Sequence, residues 1–394
     1  MATAPAYPRP PNPQAGPSWR SRVRRALAIA LTRWLPEPAA ASTGTGLLLM
    51  RPDHLGDLLF LAPALHWLRQ QAPELPLTLM VGPWARPALP ALAGAYDELL
   101  EVPFPAFARG ERQDVVARWR LAWQLGRALA GRGLAAALIL RPDHWWGALV
   151  ARLAQIPVRL GYDTYETAPY LSRRLPLRHE HAVARNLRLV GAFLGHEPVL
   201  KPTAHPLRFP VGDADREAAM RLWATTGDRR PYVVIHPGAG AAVKLWEPTA
   251  WAAVARGLHA RGATVVVTGG PGEEALTAAV VAAAGGAAVD LGGRTSFGVL
   301  AGLLDQADLV LGPDSGPLHL AVAVGTPTIH LFGPADPVLF GPWGDPRRHV
   351  VLRSPWTCAP CGRLDWPDVP AHGCVRAIAP EPVLSQALAM LADN

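Results

Sequence analysis

Residues 307–320 read ADLVLGPDSGPLHL, and this stretch decides the fold. An apolar run typical of a buried strand leads into a Gly/Pro turn. We expect a helix to start at Pro317, because proline is favoured at the first helical position, and Asp314 or Ser315 can cap it. Backbone N–H groups at such a helix start, reinforced by the helix dipole, bind anions such as phosphate. The stretch therefore predicts a strand–turn–helix unit with an anion site.

Strands and helices alternate over most of the chain outside this stretch. The predicted elements are strand 46–50, helix 57–71, strands 77–81 and 134–140, strand 232–236, helix 249–261, strand 263–268, a helix from Glu273, and strand–helix–strand through Leu331. This rhythm is typical of parallel, doubly wound sheets. We predict an α/β chain with two Rossmann-like doubly wound domains.

The chain of 394 residues is too long for one ordinary core and suits two domains of ~150–180 residues each. The strand–helix pattern weakens over 161–205 and restarts at 232, so we expect a boundary near 200–228. The predicted divisions are a Pro-rich and basic amphipathic extension at 1–45, an N-terminal domain at 46–205 and a C-terminal domain at 206–394.

The N-terminal extension begins with a Pro-rich stretch, residues 1–17, for which we expect disorder. Apolar residues then recur at helical spacing, with the arginines mostly off that stripe: Trp19, Val23, Ala26, Leu27, Ala30, Leu31 and Trp34. A basic amphipathic helix of this kind can lie on an anionic bilayer surface, or it can dock on the protein's own core. The pattern leaves both interpretations open.

The composition limits the classes of partner. The formal net charge is +7, and only two of the 38 basic residues are lysines, Lys201 and Lys244. A basic chain favours anionic partners, but no nucleic-acid-binding module is recognisable, so we expect no nucleic acid partner. No run of ~18 apolar residues indicates a transmembrane helix, and no secretory signal is evident. Three grouped cysteines do not indicate a disulfide-stapled secreted fold, so we expect a cytoplasmic location.

Two groups of residues resemble metal sites. The run Asp213-Ala214-Asp215 mimics an Asp-x-Asp metal motif, but it is expected to open a helix, where the helix dipole favours acidic side chains. Cys358, Cys361, His372 and Cys374 could bind a structural zinc ion or form a reduced thiol cluster, and both interpretations stay open. We expect no catalytic metal and no cofactor.

The tetrapeptide Arg-Pro-Asp-His occurs twice, at 51–54 and 141–144, each time directly after a predicted strand. Doubly wound sheets bind ligands at such strand ends. After the first copy, Leu55-Gly56-Asp57 is predicted to place Asp57 at a helix N-terminus. There Asp57 either caps the helix or faces a ligand with a catalytic carboxylate.

Three further loops follow predicted strands in the second half. Residues 236–246 read HPGAGAAVKLW, where glycines let backbone amides approach phosphate oxygens and Lys244 supplies a positive charge. The loop lacks the Gly-Lys-Ser/Thr and Gly-x-Gly-x-x-Gly patterns. The other two loops hold Thr268, Gly269, Glu273 and Glu274, and Thr295 and Ser296. They fit either nucleotide contacts or ordinary helix caps.

Together these motifs resemble the ADP-heptose:lipopolysaccharide heptosyltransferases, glycosyltransferase family 9, over about residues 46–390. The motifs that carry the resemblance are RPDHLGD at 51–57, PALHWLR at 63–69, RLGY at 159–162, HPGA at 236–239, KLW at 244–246, DSGPLH at 314–319 and LFGP at 331–334. Their joint order and spacing is specific, whereas each motif alone is not.

The resemblance implies a GT-B fold of two Rossmann-like domains facing across a cleft, and inverting, metal-independent sugar transfer. Asp57 matches the proposed general base, and Lys244 matches the lysine that neutralises the leaving diphosphate. The predicted donor-binding residues are Gly238, Gly240, Lys244, Thr268, Gly269, Glu273, Thr295, Ser296, Asp314, Ser315, Gly316 and His319, and the predicted acceptor-binding residues are Arg51, His54 and Arg141.

The implied partners are a nucleotide sugar, with ADP-heptose as the first candidate, and a lipid-linked saccharide acceptor at the cytoplasmic face of the inner membrane. Two features depart from the family pattern. Residues 238–240 read GAG where members often carry hydroxyl residues, and His54 stands where a small or polar residue is common. Two alternatives remain: another nucleotide sugar, or a non-catalytic nucleotide-binding scaffold.

Overall fold

The computed structural model describes residues 19–33, 44–105, 107, 114–226, 230–364 and 373–392. The chain divides into two compact units. We refer to Pro13–Leu200 as the N-terminal unit and to Lys201–Asn394 as the C-terminal unit. Most of the predicted extension, residues 1–18 and 34–43, lies outside the described residues.

The N-terminal unit is one parallel sheet covered by helices. Its helices are α1 (Trp19–Arg33), α2 (Leu55–Gln71), α3 (Val115–Leu129), α4 (Trp145–Leu153) and α5 (Ala182–Leu194), and its strands are β1 (Gly46–Arg51), β2 (Leu77–Val81), β3 (Glu98–Glu101), β4 (Leu134–Ile139), β5 (Val158–Asp163) and β6 (Arg173–Pro176). The strand order is β3-β2-β1-β4-β5-β6, with every neighbouring pair parallel.

The C-terminal unit repeats this architecture. Its helices are α6 (Asp213–Thr226), α7 (Pro248–His259), α8 (Glu274–Ala284), α9 (Phe297–Gln306), α10 (Gly316–Ala323), α11 (Pro337–Phe340) and α12 (Pro380–Ala392), and its strands are β7 (Tyr232–Ile235), β8 (Thr264–Gly269), β9 (Val289–Gly292), β10 (Leu309–Pro313), β11 (Thr328–Phe332) and β12 (His349–Arg353). Read from β9, the order is β9-β8-β7-β10-β11-β12, all parallel, which is the Rossmann order of the first sheet again. The prediction of two doubly wound α/β units is confirmed.

The central strands are apolar along their length because helices cover both faces of each sheet. Leu47, Leu48, Leu49 and Met50 of β1 have no exposed surface. Leu49 pairs with Leu79 of β2 and with Leu138 of β4, and the β1–β4 register shifts by one residue between Gly46 and Leu47. The strand order reverses between β1 and β4 in one sheet and between β7 and β10 in the other, which creates one crevice at the carboxyl edge of each sheet.

Several helix boundaries differ slightly from the sequence prediction. α2 begins at Leu55 rather than Asp57, because the backbone N–H of Leu58 already donates to His54 O across the turn. α10 begins at Gly316, one residue before the predicted Pro317. α6 begins at Asp213, so Asp213 and Asp215 lie in the first helical turn as expected.

The helix expected in the N-terminal extension is present as α1. Its Ala28 is fully buried in the core of the N-terminal unit, whereas Trp19, Val23 and Leu27 are exposed. Within the residues that the structure describes, no helix combines the length and the apolar character needed to cross a bilayer.

Candidate functional site

The crevice between β7 and β10 collects polar side chains of the C-terminal unit. The loop after β7 supplies Lys244, which lies in a 3-10 turn, and the residue after β10 is Asp314. Lys244 Nζ donates to Asp314 Oδ2 over 2.5 Å and lies 3.4 Å from Asp314 O. His319, in the first turns of α10, brings its Nε2 to 3.4 Å from Asp314 Oδ1. One buried carboxylate therefore joins a lysine and a histidine at the strand crossover.

Asp314 is ionised at neutral pH. Burial alone would raise its pKa, but the hydrogen bond from His319 and the charge of Lys244 outweigh burial and lower its pKa to about 2. The Lys244 ammonium has three N–H donors, and Asp314 engages part of them, so the lysine is oriented and keeps donor capacity for an anion.

The start of α10 provides further donors at the same crevice. Ser315 occupies the N-cap position, but its side chain makes no capping bond, and its buried Oγ has no partner among the described residues. Backbone N–H groups at the first turn of this eight-residue helix add the positive end of the dipole. A hydroxyl, a helix N-terminus and an oriented ammonium together suit a phosphate group.

His236 links the β7 and β8 ends of the same edge. Its Nδ1 lies 3.1 Å from Thr268 Oγ1, and its Nε2 lies 3.6 Å from Glu273 Oε2. Burial lowers the pKa of His236 to about 4, so the ring is neutral at physiological pH. Glu273 Oε2 also accepts from the backbone N–H of Gly270 over 2.8 Å, which fixes the β8–α8 turn.

The other predicted donor residues lie in the loops along the same edge of the sheet. Gly238 is buried where a Cβ would overlap the Glu273 carboxylate, and Gly240 is exposed in the same loop. Ser296 caps α9, because its Oγ accepts from the backbone N–H of Val299 over 3.2 Å. The structure thus brings all twelve predicted donor residues to the carboxyl ends of β7, β8, β9 and β10. Like Lys244, Asp314 and Glu273, Thr268 and Ser296 are engaged in hydrogen bonds within the protein.

The equivalent crevice of the N-terminal unit lies between β1 and β4 and holds a buried ion-pair network. Arg51, which is 5% exposed, pairs through Nε with Asp53 Oδ2 at 2.7 Å and through Nη2 with Asp57 Oδ1 at 3.1 Å. Its Nη1 donates to Leu140 O and to Asn186 Oδ1 over 2.9 and 3.3 Å. Arg51 therefore fixes the Asp57 side chain relative to the sheet.

Asp57 is the third residue of α2, and His54 occupies the N-cap position. The Asp57 side chain is 32% exposed, so a carboxylate held by Arg51 still reaches solvent. The His54 ring lies 5.8 Å from the Trp84 ring, and Trp84 Nε1 donates to Pro52 O and Asp53 O. The geometry places an oriented, accessible carboxylate at the crevice.

Arg141, from the second Arg-Pro-Asp-His copy, closes the network from the β4 side. It pairs with Asp53 and, through Nε, with Asp143 Oδ1 at 2.5 Å. Burial opposes ionisation of Asp53, but Arg51 and Arg141 hold its pKa below the ordinary value. The repeated tetrapeptide therefore links the two strands that flank the crevice, with Arg141 on its partly exposed side.

Three residues of these crevices were not among the predicted site residues. His236 follows β7 directly and Asp53 lies two residues after β1, and these positions at strand ends were the available signal. Asn186 lies on α5, where its Oδ1 accepts from Arg51 and its Nδ2 donates to Phe60 O over 3.0 Å. No motif marks Asn186, because its role depends on a contact with a residue 135 positions away.

The described residues contain no group of three or more His, Cys, Asp or Glu side chains that could hold a metal ion. Cys358, Cys361 and Cys374 are free thiols, and burial together with the neighbouring thiols raises the pKa of Cys374 to about 11. His372, which the sequence grouped with these cysteines, lies outside the described residues.

Comparison with solved structures identifies the fold class. The chain superposes on the glycosyl transferase family 9 protein from Veillonella parvula with a TM-score of 0.70 and 20% identity, covering 91% of this chain and 100% of that one. The E. coli ADP-heptose LPS heptosyltransferase II gives a TM-score of 0.66 at 20% identity, covering 88% and 99%. The fold is that of the GT-B heptosyltransferases, as expected.

The family follows from the sequence. Residues 122–365 match the family model for glycosyltransferase family 9 (heptosyltransferase), and the chain belongs to this family. Lipopolysaccharide heptosyltransferase 3 of Escherichia coli is 33% identical over 212 residues, which are 52% of this chain and 61% of that protein. Lipopolysaccharide heptosyltransferase 2 of Salmonella typhimurium is 25% identical over 324 residues, covering 78% and 88%. The chain matches about three fifths of the length of its heptosyltransferase 3 relatives.

Proposed function

We propose that this protein is an inverting, metal-independent glycosyltransferase that moves heptose from ADP-heptose to a lipid-linked saccharide of the lipopolysaccharide type. The observation that carries the proposal is the anion site at the β7/β10 crevice, where Lys244, Asp314, Ser315 and His319 meet the start of α10. Relatives of this family are named for lipopolysaccharide heptosyl transfer, and one solved neighbour, WaaC of E. coli, was crystallised with ADP.

The C-terminal unit holds the nucleotide in this proposal. The diphosphate lies at the α10 start, and its oxygens accept hydrogen bonds from the backbone amides there, from Ser315 Oγ and from Lys244 Nζ. Negative charge accumulates on the diphosphate as the bond from its oxygen to the anomeric carbon breaks. Fixed dipoles and one cation stabilise that charge without reorganisation at the moment of reaction.

The N-terminal unit supplies the base. The Asp57 carboxylate takes the proton of an acceptor hydroxyl, whose oxygen forms the new bond to the anomeric carbon as ADP leaves. Arg51 holds one carboxylate oxygen and orients the other. Arg141, on the partly exposed side of the same crevice, offers a guanidinium to an anionic group of the acceptor. His54, at the N-cap of α2, is a second candidate for acceptor contacts. With a lipid-linked acceptor, the sugar transfer takes place at the cytoplasmic face of the inner membrane.

Calorimetric titration with ADP, UDP, GDP and their sugar conjugates, in the presence of a chelator, tests the donor assignment. We expect ADP and ADP-heptose to bind best, and Lys244→Ala to weaken that binding by about 10–100-fold, because a charge-assisted hydrogen bond to phosphate is lost. Lys201→Ala is the matched control, since it removes the other lysine, which is exposed. Preference for UDP or GDP would assign another class of nucleotide sugar, and no binding of any of these ligands would contradict the proposed nucleotide site.

Replacing Asp57 tests catalysis separately from binding. Asp57→Asn should lower kcat by about 10²–10⁴-fold while leaving the ADP dissociation constant unchanged, because the amide cannot accept the proton. Asp163→Asn, at a half-exposed aspartate of the same unit, serves as control. Unimpaired transfer by a folded Asp57→Asn protein would remove Asp57 from the reaction.

A further inference from the structure

The two faces of α1 have opposite environments. Ala28 is fully buried against the core of the N-terminal unit, and Thr32 beside it is buried too. Trp19, Val23 and Leu27 recur every four residues and are 69%, 49% and 57% exposed. At about 100° per residue, Ala28 lies about 180° from Trp19 around the helix axis. The helix is therefore docked through Ala28 and Thr32, and Trp19, Val23 and Leu27 are exposed on another side of it.

Arg25 holds this orientation. Its Nη1 donates to Tyr165 O over 3.1 Å, and its guanidinium lies 4.1 Å from the centre of the Tyr165 ring. Tyr165 follows β5, and because all strands of the sheet are parallel, its loop lies at the same carboxyl edge as Asp57 and Arg141. The exposed stripe of α1 is thus attached to the edge of the sheet that carries the crevice between β1 and β4.

The charge of α1 indicates which kind of partner fits the exposed stripe of Trp19, Val23 and Leu27. The helix contains five arginines and no acidic residue. A second copy of the chain would bring two such helices of like charge together, so self-association is opposed electrostatically. A nucleic acid would leave the apolar stripe in water. An anionic bilayer matches both features, because its surface attracts arginines while its interfacial region accepts tryptophan, valine and leucine side chains.

We propose that Trp19, Val23 and Leu27 of α1 form a docking face for an anionic lipid bilayer, which brings the carboxyl edge of the N-terminal unit to the membrane that carries the acceptor. This inference rests on the proposed function only for the identity of the acceptor, since the docking face is defined without it. Binding is peripheral: α1 lies in the interface and does not span it.

Co-sedimentation of the full chain with vesicles, without substrate, tests the proposal. We expect binding to phosphatidylcholine vesicles that contain phosphatidylglycerol, weakening as salt screens the arginines, and little binding to phosphatidylcholine alone. The double variant Val23→Glu/Leu27→Glu should lose about tenfold or more in partitioning, because two apolar contacts become charged.

Val116→Glu/Trp123→Glu is the matched control, because it adds the same charge on exposed apolar positions of α3, which are 60% and 45% exposed. It should lose far less binding than the α1 variant. Equal losses in both variants, or none in the α1 variant, would overturn the docking face. The alternative that these residues form a contact between two copies of the chain is tested by light scattering without lipid. If the α1 variant, but not the control, dissociates an oligomer, the stripe is a subunit interface and the docking face is overturned. Because no sugar transfer is measured, failure here leaves the proposed enzymatic function untouched.

Discussion

Arg51 organises the crevice between β1 and β4 through several contacts. Its guanidinium bonds to Asp53, Asp57, Asn186 and the Leu140 carbonyl, so one buried side chain ties β1, β4, α2 and α5 together. Breaking a buried pair by removing one partner leaves an uncompensated group, which costs more than the pair contributed. At the residue scale, the position of Asp57 therefore depends on the buried partners of Arg51.

Asn186→Ala should show this dependence. The change leaves Arg51 Nη1 and Phe60 O each with one partner fewer, so we expect the free energy of unfolding to fall by about 1–3 kcal/mol. Because Arg51 orients Asp57, kcat should also fall while ADP affinity stays constant. Urea unfolding and steady-state kinetics measure both. Gln306→Ala, which removes only a 3.5 Å bond in the other unit, is the control, and equal effects in the two variants would contradict the assignment.

From the burial of His144, we expect the free energy of unfolding to depend on pH. Burial lowers its pKa to about 4, and its ring packs between Phe104, Phe107 and Trp146 with neither ring nitrogen bonded to a described residue. Since the pKa is lower in the folded state than in the unfolded one, the unfolded chain binds the extra proton between about pH 6.5 and 4. The contribution of the neutral His144 to stability is fully present above the pKa of the unfolded state, and it is lost as the pH falls toward the folded-state pKa of about 4.

His144→Phe removes this proton uptake. Relative to the unchanged protein, the variant should gain up to roughly 3 kcal/mol of stability as pH falls from 6.5 to 4. Urea unfolding across this range measures the difference. His259→Gln, which changes an exposed histidine, is the control for the loss of a histidine. A profile for His144→Phe that is parallel to that of the unchanged protein would mean that His144 titrates normally.

At the scale of elements, the β7/β10 crevice depends on close backbone approach. A Cβ on Gly312 of β10 would lie 2.6 Å from His236 O and would overlap the Leu318 side chain. The strand end, the Gly-rich loop after β7 and the α10 start can therefore be this close only without a side chain at that position. Packing of backbone against backbone sets the dimensions of the anion site.

Gly312→Ala should widen this crevice. We expect a loss of about 1–3 kcal/mol in stability, because the backbone must shift to relieve the overlap, and weaker ADP binding in the same variant. Thermal unfolding and calorimetry are the measurements. Gly212→Ala is the control, since its nearest neighbour would be Asp215 Oδ2 at 3.7 Å. Unchanged ADP affinity in Gly312→Ala would show that the crevice tolerates the shift.

At the scale of the whole molecule, the chain has two sheets of identical strand order, each with its own core. Trp246 and Trp251 pack edge-to-face at 4.7 Å in the C-terminal unit, while Trp146 and Phe104 pack at 5.8 Å in the N-terminal unit. In each sheet the reversal of strand order collects aspartate and a cation: Lys244 with Asp314, and Arg141 with Asp53. In the proposed function, the C-terminal crevice binds the nucleotide sugar and the N-terminal crevice binds the acceptor, so one architecture would serve two binding tasks.

Hydrogen exchange with and without ADP tests this division of tasks. Ligand at about 100 times its dissociation constant stabilises the bound fold by about 2.7 kcal/mol. We expect the added protection within the C-terminal unit, in peptides covering 232–244, 264–273 and 309–323. Lys244→Ala should reduce the protection at the same ADP concentration. Equal protection of peptides over 46–81 would contradict a nucleotide site confined to the C-terminal unit.

Local sequence patterns determined the fold class and most elements. Apolar runs ending in Gly, Pro or Asp predicted the strand over 77–81 without error and the α10 start within one residue, because strand burial and helix initiation depend on neighbours in sequence. The motifs also led to the family, which the family model confirms. Asp57 and Lys244 were selected in this way, and their catalytic roles stay predictions.

Only the tertiary structure decided which groups meet. Lys244 and Asp314 lie 70 residues apart, and Arg51 and Asn186 lie 135 apart, so their contacts depend on strand order, which no local pattern encodes. Packing also shows that α1 docks through Ala28 and leaves Trp19, Val23 and Leu27 exposed, whereas its contact with a membrane stays a prediction. Periodicity records that a helix is amphipathic, whereas the face that it buries is fixed by the surface available to cover it.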